Sequence, residues 1–344
     1  MVLFSWWQKF KELLHAHEKV LWWIHSTWAF TFGILVIIFF HGDFGQVKKL
    51  TMYLMALLLL LIVFDRIGAY EVRSGKKKRG VKLILNYFMK NMYQGLYFFM
   101  IPFYWEASVL SSPSIIFTAV VGLMAILSTQ DLIFDNWLME KKLLRAGYYS
   151  LCLFASFNLL LPLFVPLPGQ FTLPMAAFLA VLGFVVLHYP RWLLKKGHLR
   201  WVLLGSAFIA GGFYLVRAFI PPTPLKVSQT TITARAPSRE HPPRGDGVYR
   251  IHRKDMEDKR IYCVHVLESP VNPRDRFEHV WLMNDKVIKR KALRKLKLKG
   301  DKYLIWSSIE HTESGCLSLR GDWEVDLRTG GGQILKKRSF LVVE

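Results

Sequence analysis

A chain of 344 residues has room for two or three domains, and 52% of this one is hydrophobic. Its formal charge of +21, from 46 Lys and Arg against 25 Asp and Glu, would suggest a nucleic-acid partner in a soluble protein. The distribution argues against nucleic acid: long uncharged runs of Leu, Ile, Phe and Val fill residues 1–220 while charges crowd residues 225–344, so the basic excess is read as topology-setting loops and as surface facing anionic lipid headgroups.

In chain order, Trp6, Trp7, Phe10, Leu13, Leu14 and Leu21 recur at helical spacing, with Lys9, Lys11, Glu12 and Lys19 on the other face. That pattern predicts an amphipathic interfacial helix over residues 1–20. Seven apolar runs follow, at residues 21–40, 47–64, 83–104, 113–134, 147–165, 171–189 and 199–220. About 20 apolar residues cross ~30 Å of hydrocarbon. The fold expected for residues 21–220 is therefore an α-helical membrane bundle of about seven transmembrane helices. Alternate loops, counted from the N-terminal segment, hold seventeen Lys and Arg, and the intervening loops hold only Lys48 and Lys49. By the positive-inside rule the N-terminus is cytoplasmic and the C-terminal part extracytoplasmic.

Pro221-Pro222-Thr223-Pro224 stops the last run. Residues 221–246 read as a Pro-rich linker that also holds a first strand at 226–234. Beyond it the hydrophobic period becomes two. Ile261, Cys263, His265 and Leu267 share one face; so do His279 and Trp281, Leu304 and Trp306, and Trp323, Val325 and Leu327. Asn284-Asp285, Gly300-Asp301, Gly321-Asp322 and Thr329-Gly330-Gly331-Gly332 are the turn signals between them. This predicts an all-β sandwich of about seven strands over residues 225–344, with 247–344 as the part beyond the linker.

The order His279-x-Trp281, Trp306-Ser307-Ser308, Gly321-x-Trp323-x-Val325 and a closing Phe340-Leu341-Val342-Val343 resembles the C-terminal periplasmic domain of bacterial inner-membrane proteins of unknown function. The resemblance covers roughly residues 225–344, and the preceding bundle looks like the membrane region often joined to that domain. It implies an Ig-like sandwich and a multi-pass inner-membrane location. It transfers no activity.

Candidate sites each have a functional and a packing reading. His25, Asp65, Lys90, Asp131 and His188 form an intramembrane polar cluster toward the cytoplasmic ends of the expected spans. Such groups line a proton or ion path, or else a Lys90–Asp131 ion pair locks two helices. His279 beside Trp281 is either catalytic or a packed strand residue, and no nucleophile is marked out for it. Trp281, Trp306 and Trp323 make either a glycan platform or a core. Residues 286–302 are strongly basic, and Lys289, Arg290, Lys295, Lys297 and Lys299 are the expected anionic-surface contacts, the alternative being protection of a sheet edge. Cys263 and Cys316 make an inter-strand disulfide conceivable. No CxxC, HExxH or Gly-x-Ser-x-Gly pattern is present, so no catalytic, metal-ligating or cofactor-binding residue is expected and no cofactor is implied. The function expected is non-enzymatic binding or scaffolding of an envelope component, whether anionic lipid, glycan or protein. A transporter or channel subunit using Lys90 and Asp131, or a membrane enzyme on a lipid-linked substrate, is the alternative.

Overall fold

The computed structural model describes residues 79–130, 140–165, 167–189, 197–237, 249–252, 260–310 and 320–343, with isolated positions between 27 and 63 and at 134 and 138. Its helices are α1 (Arg79–Glu106), α2 (Ser114–Thr129), α3 (Lys142–Phe164), α4 (Gly169–His188) and α5 (His198–Leu215), followed by a 3-10 turn at Arg217–Phe219. α1 packs on α2 and α3, α3 on α4, and α4 on α5. The interfacial helix expected at residues 1–20 lies outside the described residues.

The described residues do not form the expected seven-span bundle. Among the described residues only α3, over Leu143–Phe164, is long and apolar enough to cross a membrane. Among the described residues the run at 113–134 yields one α-helix of 16 residues, capped by Gln130, whose backbone is extended. At ~1.5 Å per residue that covers ~24 Å, short of the ~30 Å hydrocarbon core. α1 is long, but it buries Lys90 and Gln94. The last run stops early because of the charge near its end, Arg217. The Arg217 guanidinium donates to Tyr214 O at 2.7 Å and to Gly331 O at 2.6 Å. It thereby occupies a carbonyl at the helix end, and the chain turns there rather than at Pro221.

Among the described residues nine strands follow: β1 (Lys226–Thr233), β2 (Arg250–His252), β3 (Ile261–Glu268), β4 (Phe277–Met283), β5 (Lys286–Leu293), β6 (Lys295–Lys297), β7 (Lys302–Ile309), β8 (Gly321–Thr329) and β9 (Ile334–Val343). They make a four-stranded sheet in the order β1-β3-β7-β6 and a five-stranded sheet in the order β2-β9-β8-β4-β5. About seven strands thus becomes nine, and the second sheet is mixed, because β2 runs parallel to β9. The two sheets share one core: Ile232, Ile261, Cys263 and Ile309 from the first meet Trp281, Trp323, Val325, Phe340 and Val342 from the second. Strand alternation supplies this core directly, since every second residue of β3, β4 and β8 points inward.

The Pro-rich stretch is a joint, not a free linker: residues 221–225 are all buried. Polar contacts surround it. The Asn158 amide of α3 donates to Thr223 Oγ1 at 3.2 Å, and Gln333 Nε2 donates to Ile220 O at 2.6 Å. The Gly169 N–H, at the start of α4, donates to Asp275 Oδ1 at 2.8 Å. Lys226 and Glu106 pair at 3.3 Å.

Candidate functional sites: a basic edge and a buried histidine–cysteine cluster

The basic stretch at 286–302 holds two strands and the start of a third. β5 edges the second sheet, β6 edges the first, and the chain crosses between sheets at Arg294. Lys291 Nζ ties the edges together by donating to Ser308 O of β7 at 2.6 Å. Arg290, Arg294, Lys297 and Lys299 are exposed, and Lys289 is half-buried. Lys295 is exposed as well, but its ammonium is already engaged. It donates to Asn272 Oδ1 at 3.1 Å and to Pro273 O. Partial burial, and then the neighbouring Arg274, pull it below the usual lysine range. β6 ends at Lys297, so Lys299 does not continue the row of Lys295 and Lys297.

Strand register places the crossover relative to the helices. Leu293 is opposite Phe277, and Phe277 is opposite Thr329, beside the Gly331 and Gln333 contacts to Arg217 and Ile220. Lys302 is opposite Glu268, and Glu268 opposite Lys226 at the joint. Residues 294–302 therefore sit at the helix-facing end of the sheets. Arg290, opposite Val280, lies three residues further along, roughly 10 Å away at ~3.4 Å per residue.

The second constellation lies between the sheets. Cys263 and His265 are two apart on β3, so they share a face, and β4 brings His279 against them from the other sheet. One ligand atom from each of the three lies within 4.8 Å of the others, and all three residues are buried. The His265 ring sits between Thr230 Oγ1, at 2.8 Å from Nδ1, and Cys263 Sγ, at 3.3 Å from Nε2. Nδ1 of His279 is 2.7 Å from Ser307 Oγ, which also accepts the Trp281 indole N–H at 2.9 Å. Nε2 of His279 is buried with no hydrogen-bond partner. Burial holds both imidazoles neutral: His265 is pulled down to about 3, with Lys336 and Arg338 adding to the effect, and His279 well below its ordinary value. Burial likewise pushes the Cys263 thiol up.

Family models now divide the chain. A family of unknown function, DUF5924, matches residues 4–263. The chain belongs to that family. A second model, the protein of unknown function DUF2914, matches residues 274–342. The boundary between the two falls inside the sheets, not at the Pro-rich joint: Cys263 closes the DUF5924 match and His279 lies in the DUF2914 match. Neither a curated protein nor a solved structure matches the chain.

The other expected sites distribute as follows. His25, Asp65, Asp131 and Cys316 lie outside the described residues, and His188 is the last residue of α4. Lys90 is buried with its ammonium 5.8 Å from the centre of the Phe134 ring. Cys263 is a free thiol. The three tryptophans do not make a platform: Trp281 and Trp323 are in the inter-sheet core, while Trp306 packs on the opposite face of the first sheet with Val264 and Leu304. The histidine–cysteine cluster has no zinc-type spacing in sequence, because two of its members are separated by one residue and the third comes from another sheet. The available signal was Cys263-x-His265 on a strand, a spacing that places both side chains on one face.

Proposed function

We propose that this chain is a non-enzymatic membrane protein of the cell envelope, and that its β region rests against the bilayer and binds anionic headgroups through the crossover at residues 294–302. The observation that carries this reading is the place of that crossover, at the helix-facing end of the sheets, with Arg294, Lys297 and Lys299 exposed. Each Lys or Arg near an anionic surface contributes about 1 kcal/mol, and the effect fades within a Debye length of ~8–10 Å. Arg290 and Lys289, a Debye length or more further out, contribute less.

Several features support placing the helices in lipid. α2 buries Ser114, Thr118, Ala125 and Ser128 and exposes Ile116, Leu123 and Ile126. α5 buries Val202, Ser206 and Ala210 and exposes Trp201, Leu204 and Phe208. Small residues inside and large apolar residues outside is the arrangement of helices packed in a membrane, and the reverse of an amphipathic helix in water. Pro102, Pro162 and Pro174 inside three helices fit the same setting. The charge bias of the loops favours a cytoplasmic N-terminus and an extracytoplasmic β region.

The test is amide hydrogen exchange on the full chain in lipid nanodiscs. Residues 294–302 are expected to exchange more slowly in discs containing anionic lipid than in zwitterionic discs. Added salt and the triple change Arg294→Gln, Lys297→Gln, Lys299→Gln should each erase the difference. Equal exchange in both lipids would overturn the reading.

A further inference from the structure

Both histidines of the inter-sheet cluster are held in the same manner. A hydroxyl fixes each Nδ1, Thr230 for His265 and Ser307 for His279, and leaves Nε2 to face into the core. One Nε2 meets the Cys263 sulfur, and the other has no partner at all. A buried nitrogen without a partner is costly, on the order of 1–3 kcal/mol. A hydrogen bond at the far ring nitrogen is how metal-bound histidines are oriented, since it fixes the tautomer and points the other lone pair at the ion. The Trp281 N–H, a donor only, occupies one acceptor position of Ser307 and locks that hydroxyl in turn.

We propose that Cys263, His265 and His279 form a binding site for a soft, thiophilic metal ion, Cu(I), that links β3 to β4 across the core. One thiolate and two neutral imidazoles suit Cu(I) and Zn(II) alike. Structural zinc takes four protein ligands, and catalytic zinc keeps a water at an open position. Here three donors converge, every one buried, and among the described residues no fourth His, Cys, Asp or Glu joins the group. That count and that enclosure favour Cu(I). Binding replaces the S–H bond of Cys263 with an S–Cu bond and releases one proton to solvent; the imidazoles bind through lone pairs and release none. No electron is transferred. The ion would join the two sheets much as an inter-sheet disulfide does in other sandwiches, and Cys263 would then be unavailable for one.

The test uses the full chain purified in detergent without oxygen, titrated with Cu(I) against a chromophoric Cu(I) chelator and, separately, with Zn(II). One equivalent of Cu(I) is expected, with an X-ray absorption spectrum of one sulfur and two nitrogen neighbours. His279→Gln and Cys263→Ser should each weaken retention by at least about 100-fold, and Thr230→Val, which leaves all three donors in place, by about 10-fold. Circular dichroism identifies which variants fold, and Thr230→Val keeps the test open where a core variant does not. A folded wild-type chain that retains no Cu(I), a copper spectrum without sulfur, or tighter binding of Zn(II) than of Cu(I) would overturn the proposal.

Discussion

Ser307 bears more structural weight than its size suggests. Its hydroxyl serves the Trp281 N–H and the His279 Nδ1 at once, in a part of the core that water does not reach. Ser307→Ala leaves two buried polar groups unpaired, so the expected loss is about 2–4 kcal/mol, at about 1–2 for each orphaned group. Ser308, next in sequence and half-buried on the other face, is the control; Ser308→Ala should stay within about 0.5 kcal/mol. Urea unfolding followed by tryptophan fluorescence compares them, and equal effects would mean the hydroxyl network is dispensable. The sequence made much of this legible: alternation along β7 puts Leu304 and Trp306 on one face and hence Ser307 on the other. It did not show that Ser307 and His279 would meet, because β4 and β7 belong to different sheets and only the packing of one sheet on the other brings them together.

At the scale of elements, local chemistry was the readable part. Asn284-Asp285 joins β4 to β5 in a two-residue hairpin with φ of 46° and 64°. Both values lie in the left-handed region, so the turn is the primed type that matches strand twist. Asp285→Gly removes a side chain from an unfavourable backbone conformation and should add about 0.5–1 kcal/mol of stability. The same turn reaches β8, where Asn284 Oδ1 accepts the Asp322 N–H at 3.1 Å. Gly321, at φ 148°, packs so tightly there that an added Cβ would lie 2.7 Å from Asn284 Oδ1. Gly321→Ala is therefore expected to cost about 1–3 kcal/mol. Thermal melts of the two variants should move in opposite directions. Where elements end was less readable. Residues 286–302 alternate almost without a break, and nothing local marks Arg294 as the point where the chain leaves one sheet edge for the other. α2 ends at Thr129 and α5 at Leu215, each inside the apolar run that predicted it, since apolarity alone does not mark where a helix ends.

The joint between helices and sheets governs the molecule as a whole, and it was the least visible in sequence. Three prolines and one threonine in a row read as a stiff spacer; they are buried instead at a joint whose polar contacts come from Asn158, Gln333 and Asp275, more than fifty residues away in each direction. Asp275 is the titratable member. Its carboxylate accepts the Gly169 N–H where α4 begins, a position whose backbone donors lack helical partners. Burial nevertheless raises its pKa above the ordinary carboxylate value, against the Gly169 bond and the nearby Lys295. A raised acid contributes most below its unfolded pKa, and that contribution is lost as pH rises through the folded pKa. Mild acid should therefore tighten the joint. Asp275→Asn, which keeps an acceptor without the charge, should be tolerated at neutral pH, whereas Asp275→Ala should cost about 1 kcal/mol. Proteolysis at the joint across pH 4–7 measures it, and faster cutting in acid would contradict the assignment.

Two contacts at that joint differ in what they are worth, and burial decides between them. The Lys226–Glu106 pair has side chains 19% and 37% exposed, so solvent screens it and its contribution is at most about 1 kcal/mol. Gln333 is 3% exposed, and its amide reaches Ile220 O at 2.6 Å. Its own N–H is held by Thr329 Oγ1 at 3.3 Å, so the side chain leaves a hairpin whose geometry is already set. Gln333→Ala removes the donor to a buried carbonyl and opens a void at the point where the 3-10 turn meets β8 and β9. The expected cost is about 2–3 kcal/mol, against less than about 1 for Lys226→Ala. The site of the loss is as informative as its size. If Gln333 couples the two regions, Gln333→Ala should speed amide exchange on both sides of the joint, in residues 217–225 and in the β8–β9 turn. Lys226→Ala should leave both unchanged. Exchange that rises only in the turn would show that Gln333 stabilises its hairpin and that other contacts join the sheets to the helices.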